Sequence, residues 1–184
     1  MKKHVEAAAS LLVKADIYLA VVDSSSPANA PGLFKASLDQ AWDRVGGPTA
    51  TGKLDLVNDC VEQYWAHRQA AQELLVWSPG SGVYRVEFRL SKFAPKAPAS
   101  RRDGGGLIGK AGASGTLSCP SGELIVGTLS ALGGGKAAVR VPPGSHRLVL
   151  EENSEQIRRH WSLADEAAYE EGGEPDFILW IQSS

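Results

Sequence analysis

The chain has 184 residues, 43% of them hydrophobic and 22% charged, with a formal net charge of −2. Such a chain builds one compact unit, or two small ones sharing a core, without a staple of disulfides or zinc. No run of about eighteen apolar residues occurs, which excludes a membrane-spanning helix.

Residues 4–22 read as a helix, because Val5, Ala8, Leu12, Ala15, Leu19 and Val22 recur at three- and four-residue steps. Asp23-Ser24-Ser25-Ser26-Pro27 ends it. The apolar stretch is interrupted by Glu6, Lys14 and Asp16, so it does not read as a signal peptide, and a cytoplasmic location is expected. A second helix is expected over 34–45, with Phe34, Leu38, Ala41, Trp42 and Val45 on one face and Gly46-Gly47-Pro48 as its stop. A third, over 53–73, follows Thr51 as its cap. Its stripe is Leu54, Val57, Val61, Tyr64, Ala71 and Leu75, and Arg68 interrupts it and has to snorkel or pair.

The period then changes to two. In 83–93, Tyr84, Val86, Phe88 and Leu90 alternate with Arg85, Glu87, Arg89 and Ser91, the pattern of a half-buried strand with a charged outer face. Leu74–Trp77 is read as its hairpin partner across Ser78-Pro79-Gly80-Ser81-Gly82. Short strands follow at 115–119, 123–129, 137–141, 146–150 and 177–182, punctuated by Pro120-Ser121-Gly122, Gly133-Gly134-Gly135 and Pro142-Pro143-Gly144. The expected fold class is α+β: N-terminal helices in a segment 1–75, packed with a C-terminal antiparallel β-sandwich or barrel over 76–184, as one unit.

An acidic insertion at 151–176 separates the last two strands. It carries nine acidic residues against Arg158 and Arg159, a net −7 that leaves +5 for the rest of the chain. Charge divided this way creates opposed surface fields that steer a partner. The candidate partner-binding residues are Glu151, Glu152, Glu155, Trp161, Asp165, Glu166, Glu170 and Glu171. Trp161 stands out because an aromatic residue amid charge has the composition of an interface hot spot.

Reactive chemistry finds little support in the residues. Gly104 to Ala111 nearly spells the phosphate loop GxxxxGK[ST], but Ala111 occupies the hydroxyl position and no buried strand precedes it, so a Gly/Lys loop is the better reading. His4, His67, His146 and His160 form no HExxH pair, and Cys60 and Cys119 form no CxxC, so neither a metal nor a cofactor is expected. Cys119 and His146 lie on strands that are candidate neighbours, which makes a thiol–imidazole pair geometrically feasible without marking it as one. Seven basic residues (Arg85, Arg89, Lys92, Lys96, Arg101, Arg102 and Lys110) give a weak nucleic-acid signal, opposed by the pI near 6.1. The expectation is a protein without catalytic activity, cofactor, metal or nucleic-acid partner.

The run Gly115–Gly127 (GTLSCPSGELIVG), then Val139–Leu150 (VRVPPGSHRLVL), then Asp176–Trp180 (DFILW) resembles small bacterial β-sandwich proteins related to the competence-nuclease inhibitor, several of which resemble immunity proteins of polymorphic toxin systems. The shared order is P-x-G, two strands, P-P-G, strand and a late aromatic-rich strand, covering roughly residues 83–182. The resemblance implies no active-site residues. It implies binding of another protein; together with the acidic segment, which suits a basic target, the expectation is an immunity protein or inhibitor that binds a cognate toxin by protein–protein contact and blocks a basic, nuclease-like site. The alternative is a small-ligand or carbohydrate-binding β-domain, which requires Trp77 or Trp180 to be exposed.

Overall fold

A computed structural model describes residues 6–15, 18–47, 52–92, 114–132, 137–153 and 173–183. Their elements, in chain order, are β1 (Glu6–Ala15), β2 (Leu19–Asp23), α1 (Leu33–Val45), α2 (Leu54–Ala70), β3 (Leu74–Trp77), β4 (Gly82–Ser91), β5 (Ser114–Cys119), β6 (Glu123–Thr128), β7 (Ala137–Arg140), β8 (Gly144–Glu152) and β9 (Phe177–Ser183). The strands form a five-stranded sheet of order β1-β4-β9-β8-β5 and a four-stranded sheet of order β3-β2-β6-β7.

The two sheets face each other across one core. Val13 and Ala15 of β1, Tyr84, Val86 and Phe88 of β4, Leu148 and Leu150 of β8, and Leu179 and Ile181 of β9 meet Leu19, Val21, Leu75, Trp77, Leu124 and Val126 of the smaller sheet. The opposite face of the smaller sheet carries Ala20, Val22, Leu74, Val76 and Ile125. These pack beneath the helices, against Ala41 of α1 and Val57, Val61 and Trp65 of α2. The molecule is therefore three layers: outer sheet, inner sheet and helix pair. β2 and β3 are buried at every position because the inner sheet is covered on both faces. Trp65 anchors the helical layer, edge-on to Tyr64 at 5.1 Å and stacked with Phe34 at 6.3 Å.

The α+β class with two packed sheets holds, and both later helices form. The helix expected over 4–22 does not form. Its described residues are β1 and β2, with β1 paired antiparallel to β4 in the register Val13↔Tyr84 and Leu11↔Val86. The three-and-four spacing is accidental. The side chains that point inward are Ala9, Leu11, Val13 and Ala15, an alternation of two, and β2 is a continuous apolar run belonging to a different sheet. Leu54, placed on the buried stripe of the third helix, is 60% exposed. The hairpin of β3 with β4 is also absent. β3 pairs with β2 in the inner sheet, so residues 78–81 carry the chain from one sheet to the other. The Tyr84 hydroxyl fixes that corner by donating to the carbonyls of Pro79 and Gly80, at 3.1 and 3.2 Å. The outer sheet is mixed: β4 and β9 run parallel, with Arg89↔Trp180 and Glu87↔Ile178 in register, and the other pairs are antiparallel.

Candidate partner-binding site

One buried polar node is structural in character. Asp23, fully buried at the end of β2, lies beside the β5–β6 turn. One carboxylate oxygen accepts from Ser25 N at 2.9 Å and from the Ser25 hydroxyl; the other accepts from Ser121 N at 3.1 Å and the Ser121 hydroxyl. Burial pushes this carboxyl up, but hydrogen bonds from Cys119, Ser121 and Ser25 outweigh it and hold it below the usual carboxylate value. The same contact acts on Cys119. Burial first, then its bond to Asp23 and the charge of Asp23, push its thiol up to about 12. β5 and β8 are neighbours, as expected, but Cys119 stands opposite Gly144 and its thiol is engaged by Asp23. Both ring nitrogens of His146 are occupied, Nε2 by Pro142 O at 2.7 Å and Nδ1 by the Ser183 hydroxyl at 3.4 Å. This geometry forms no thiolate–imidazole pair: the thiol stays protonated at neutral pH and the imidazole is held elsewhere. Among the described residues no cluster of three or more His, Cys, Asp or Glu is arranged to hold a metal ion. No helix among them is long and apolar enough to cross a membrane.

The outward face of the outer sheet is different. Alternation from the core positions turns Arg85, Glu87 and Arg89 of β4, Ile178 and Trp180 of β9, and Arg147 and Glu151 of β8 away from the sandwich. At its centre the Trp180 indole N–H donates to Glu151 Oε2 at 2.8 Å, and the Arg89 guanidinium lies 5.1 Å from the Trp180 ring centroid. Arg89 Nε also donates to Glu87 Oε1 at 2.7 Å, with side-chain exposures of 28% and 20% for the two residues. Four side chains from three strands thus hold one another in fixed rotamers, and the basic strand face read from the sequence is partly neutralised there.

The acidic segment is joined to this face. It leaves after β8 and returns at β9, and its two ends are tied together. Asn153 N donates to Asp176 O at 2.8 Å, Asp176 N to Arg85 O at 2.9 Å, and Arg85 N to Asp176 Oδ2 at 2.7 Å. Asp176 is itself fully buried, so this acid closes the base of the segment instead of adding to its exposed charge. Of the eight expected partner-binding residues, Glu151 and Glu152 end β8, both half-buried, and Glu151 joins the Trp180 assembly. Glu155, Trp161, Asp165, Glu166, Glu170 and Glu171 lie outside the described residues, as do the Gly/Lys run 104–111 and Lys96, Arg101, Arg102 and Lys110. Sequence reasoning missed Trp180 with Arg89 as a unit. The available signal was that both sit at outward positions of strands with opposite-parity core residues, but their adjacency depends on the parallel β4–β9 pairing.

No family model matches the chain, and no curated protein matches it. Among solved structures it is similar to the protein described as crocagin biosynthetic gene J, with a TM-score of 0.65 at 20% identity, covering 100% of this chain and 99% of that one. It also aligns with ComJ from Bacillus subtilis, inhibitor of the DNA degrading activity of NucA, with a TM-score of 0.48 at 9% identity over 98% of this chain and 99% of ComJ. The first likeness shows a shared fold; the second is too loose to carry an argument.

Proposed function

We propose that this protein binds a partner protein and inhibits it by contact, without catalysis of its own, and that the partner is a toxin enzyme of the nuclease kind with a basic surface. The whole chain acts as one cytoplasmic unit in this reading. The contact is made by Glu151, Glu152, Glu155, Trp161, Asp165, Glu166, Glu170 and Glu171, extended by Trp180 and Arg89. The observation that supports it is the Trp180–Arg89–Glu151 assembly at the foot of a segment of net charge −7. Trp and Arg dominate interface hot spots, and side chains already fixed in their rotamers lose little entropy on binding. The acidic segment supplies the steering field for a basic target.

The carbohydrate- or ligand-binding β-domain is less well supported. Trp77 is buried in the sandwich, and Trp180, though partly exposed, already has Arg89 over its ring and its N–H tethered to Glu151. The test uses the protein encoded beside this one in its genome. Its association rate is measured against the wild type and against a variant with the seven acidic partner-binding residues changed to Lys. Association should slow by at least about tenfold and lose its dependence on salt. Unchanged association, with inhibition intact, sinks the reading.

A further inference from the structure

A helix pair packed side by side normally turns apolar stripes toward each other. α1 and α2 do so only where they meet the inner sheet. Beyond that contact, α1 presents Ser37, Gln40 and Arg44, at steps of three and four, with the buried Ala41 beside them. α2 answers with Gln63, Tyr64, His67 and Arg68. Between them lies a cavity of about 450 Å³, within the size range of small-molecule sites.

The charge in this cavity is unbalanced. Among the described residues Glu73 is the one carboxylate lining it, and Glu73 is already engaged by Arg68, whose Nη1 donates to its Oε2 at 2.5 Å. The Arg68 guanidinium also lies 4.9 Å from the Tyr64 ring centroid, so it is held from two sides. Arg44 is exposed on the opposite wall and faces no second acid among the lining residues. The Ser37 hydroxyl donates to the Phe34 carbonyl at 2.7 Å, which leaves Gln40, Gln63, the Tyr64 hydroxyl and the His67 ring as the other polar groups of the lining.

We propose that this cavity binds a small molecule carrying a carboxylate or phosphate group. The oxyanion sits between Arg44 and the N–H groups of Arg68 not engaged by Glu73, where a planar guanidinium fork matches two oxygens. The body of the ligand lies against Tyr64, and Gln40 and Gln63 supply orientation. The site is on the helical layer, two layers from the Trp180 face, and does not depend on the partner-binding reading.

Cys60 lines the same cavity, whereas Cys119 is buried with its thiol pushed up to about 12. A thiol reagent at about pH 8 therefore reports on Cys60 alone. Labelling is followed in inorganic phosphate and in citrate, against sodium chloride of equal ionic strength. At ten times its dissociation constant a bound anion should slow labelling about tenfold. Whichever of the two protects identifies the oxyanion. Arg44→Gln should abolish the protection while keeping the unfolding midpoint, and Lys35→Gln, exposed on α1 outside the cavity, should retain it. Calorimetric titration of the wild type with the protecting anion should saturate over the same range. No protection beyond chloride by either anion, or equal protection in Arg44→Gln, overturns the proposal.

Discussion

Replacing Asp23 by Asn removes the charge at the node that joins β2 to the β5–β6 turn while leaving its shape. In the wild type, two backbone N–H groups, two serine hydroxyls and the Cys119 thiol converge on this one carboxylate. An amide offers one acceptor oxygen and one NH2. The hydroxyls can rotate to accept from that NH2, but the N–H of either Ser25 or Ser121 then faces a donor. Ser25 and Ser121 are themselves exposed, so water reaches the displaced N–H and its loss costs about 1 kcal/mol. The surviving bonds also lose their charge assistance, so about 1–3 kcal/mol is expected in all. Against a total stability of roughly 5–15 kcal/mol this is a large fraction. Urea unfolding followed by tryptophan fluorescence should show a lower midpoint with an unchanged slope. The sign with pH is fixed by the direction of the shift. The native carboxyl titrates below its unfolded value, so its contribution is complete above about pH 5, where the unfolded carboxyl is also ionised, and is lost as pH falls through the native value. The gap between wild type and Asp23→Asn should therefore narrow on acidification. A gap that is equally wide at pH 7 and pH 3 refutes the argument.

Gly122 sits at φ +73°, and a Cβ there would stand 3.0 Å from Val141 O, so Gly122→Ala should cost about 1–3 kcal/mol in chemical unfolding and disturb the Ser121 contacts to Asp23. Trp65→Ala empties the joint between the helices and the inner sheet and should cost about 3–5 kcal/mol, read by the same unfolding assay. Trp180→Ala removes a partly exposed anchor, its indole bond to Glu151 and its stacking with Arg89; it should lower stability by about 1–2 kcal/mol while weakening partner affinity by more than about tenfold in direct titration.

Much of this fold is legible from the residues, for reasons that also explain the failures. α1 is bounded by Gly32 and Gly46, both in left-handed conformations, and β4 alternates cleanly because one face meets the core and the other does not. β2 is buried on both faces, so it shows no period, and a neighbouring β1 of small residues let a helical spacing run across both. The Asp23 node was invisible for a different reason. Asp23-Ser24-Ser25 reads as a helix end and Pro120-Ser121-Gly122 as a turn, each correct as a chain break, but their meeting spans 98 residues. Arg68 interrupts the apolar stripe of α2 and so needs a partner, and it has two, Glu73 and the Tyr64 ring.

The position of β9 has a consequence for how the protein is made. In the outer sheet, β1 and β4 form one ribbon, β8 and β5 another, and β9 alone lies between them. A nascent chain can form both ribbons, but it cannot join them until residues 177–183 have left the ribosome. Until then the backbone N–H and C=O groups along the facing edges of β4 and β8 stand unpaired. Completion of the sheet and closure of the Asp176 clamp are thus a single late event.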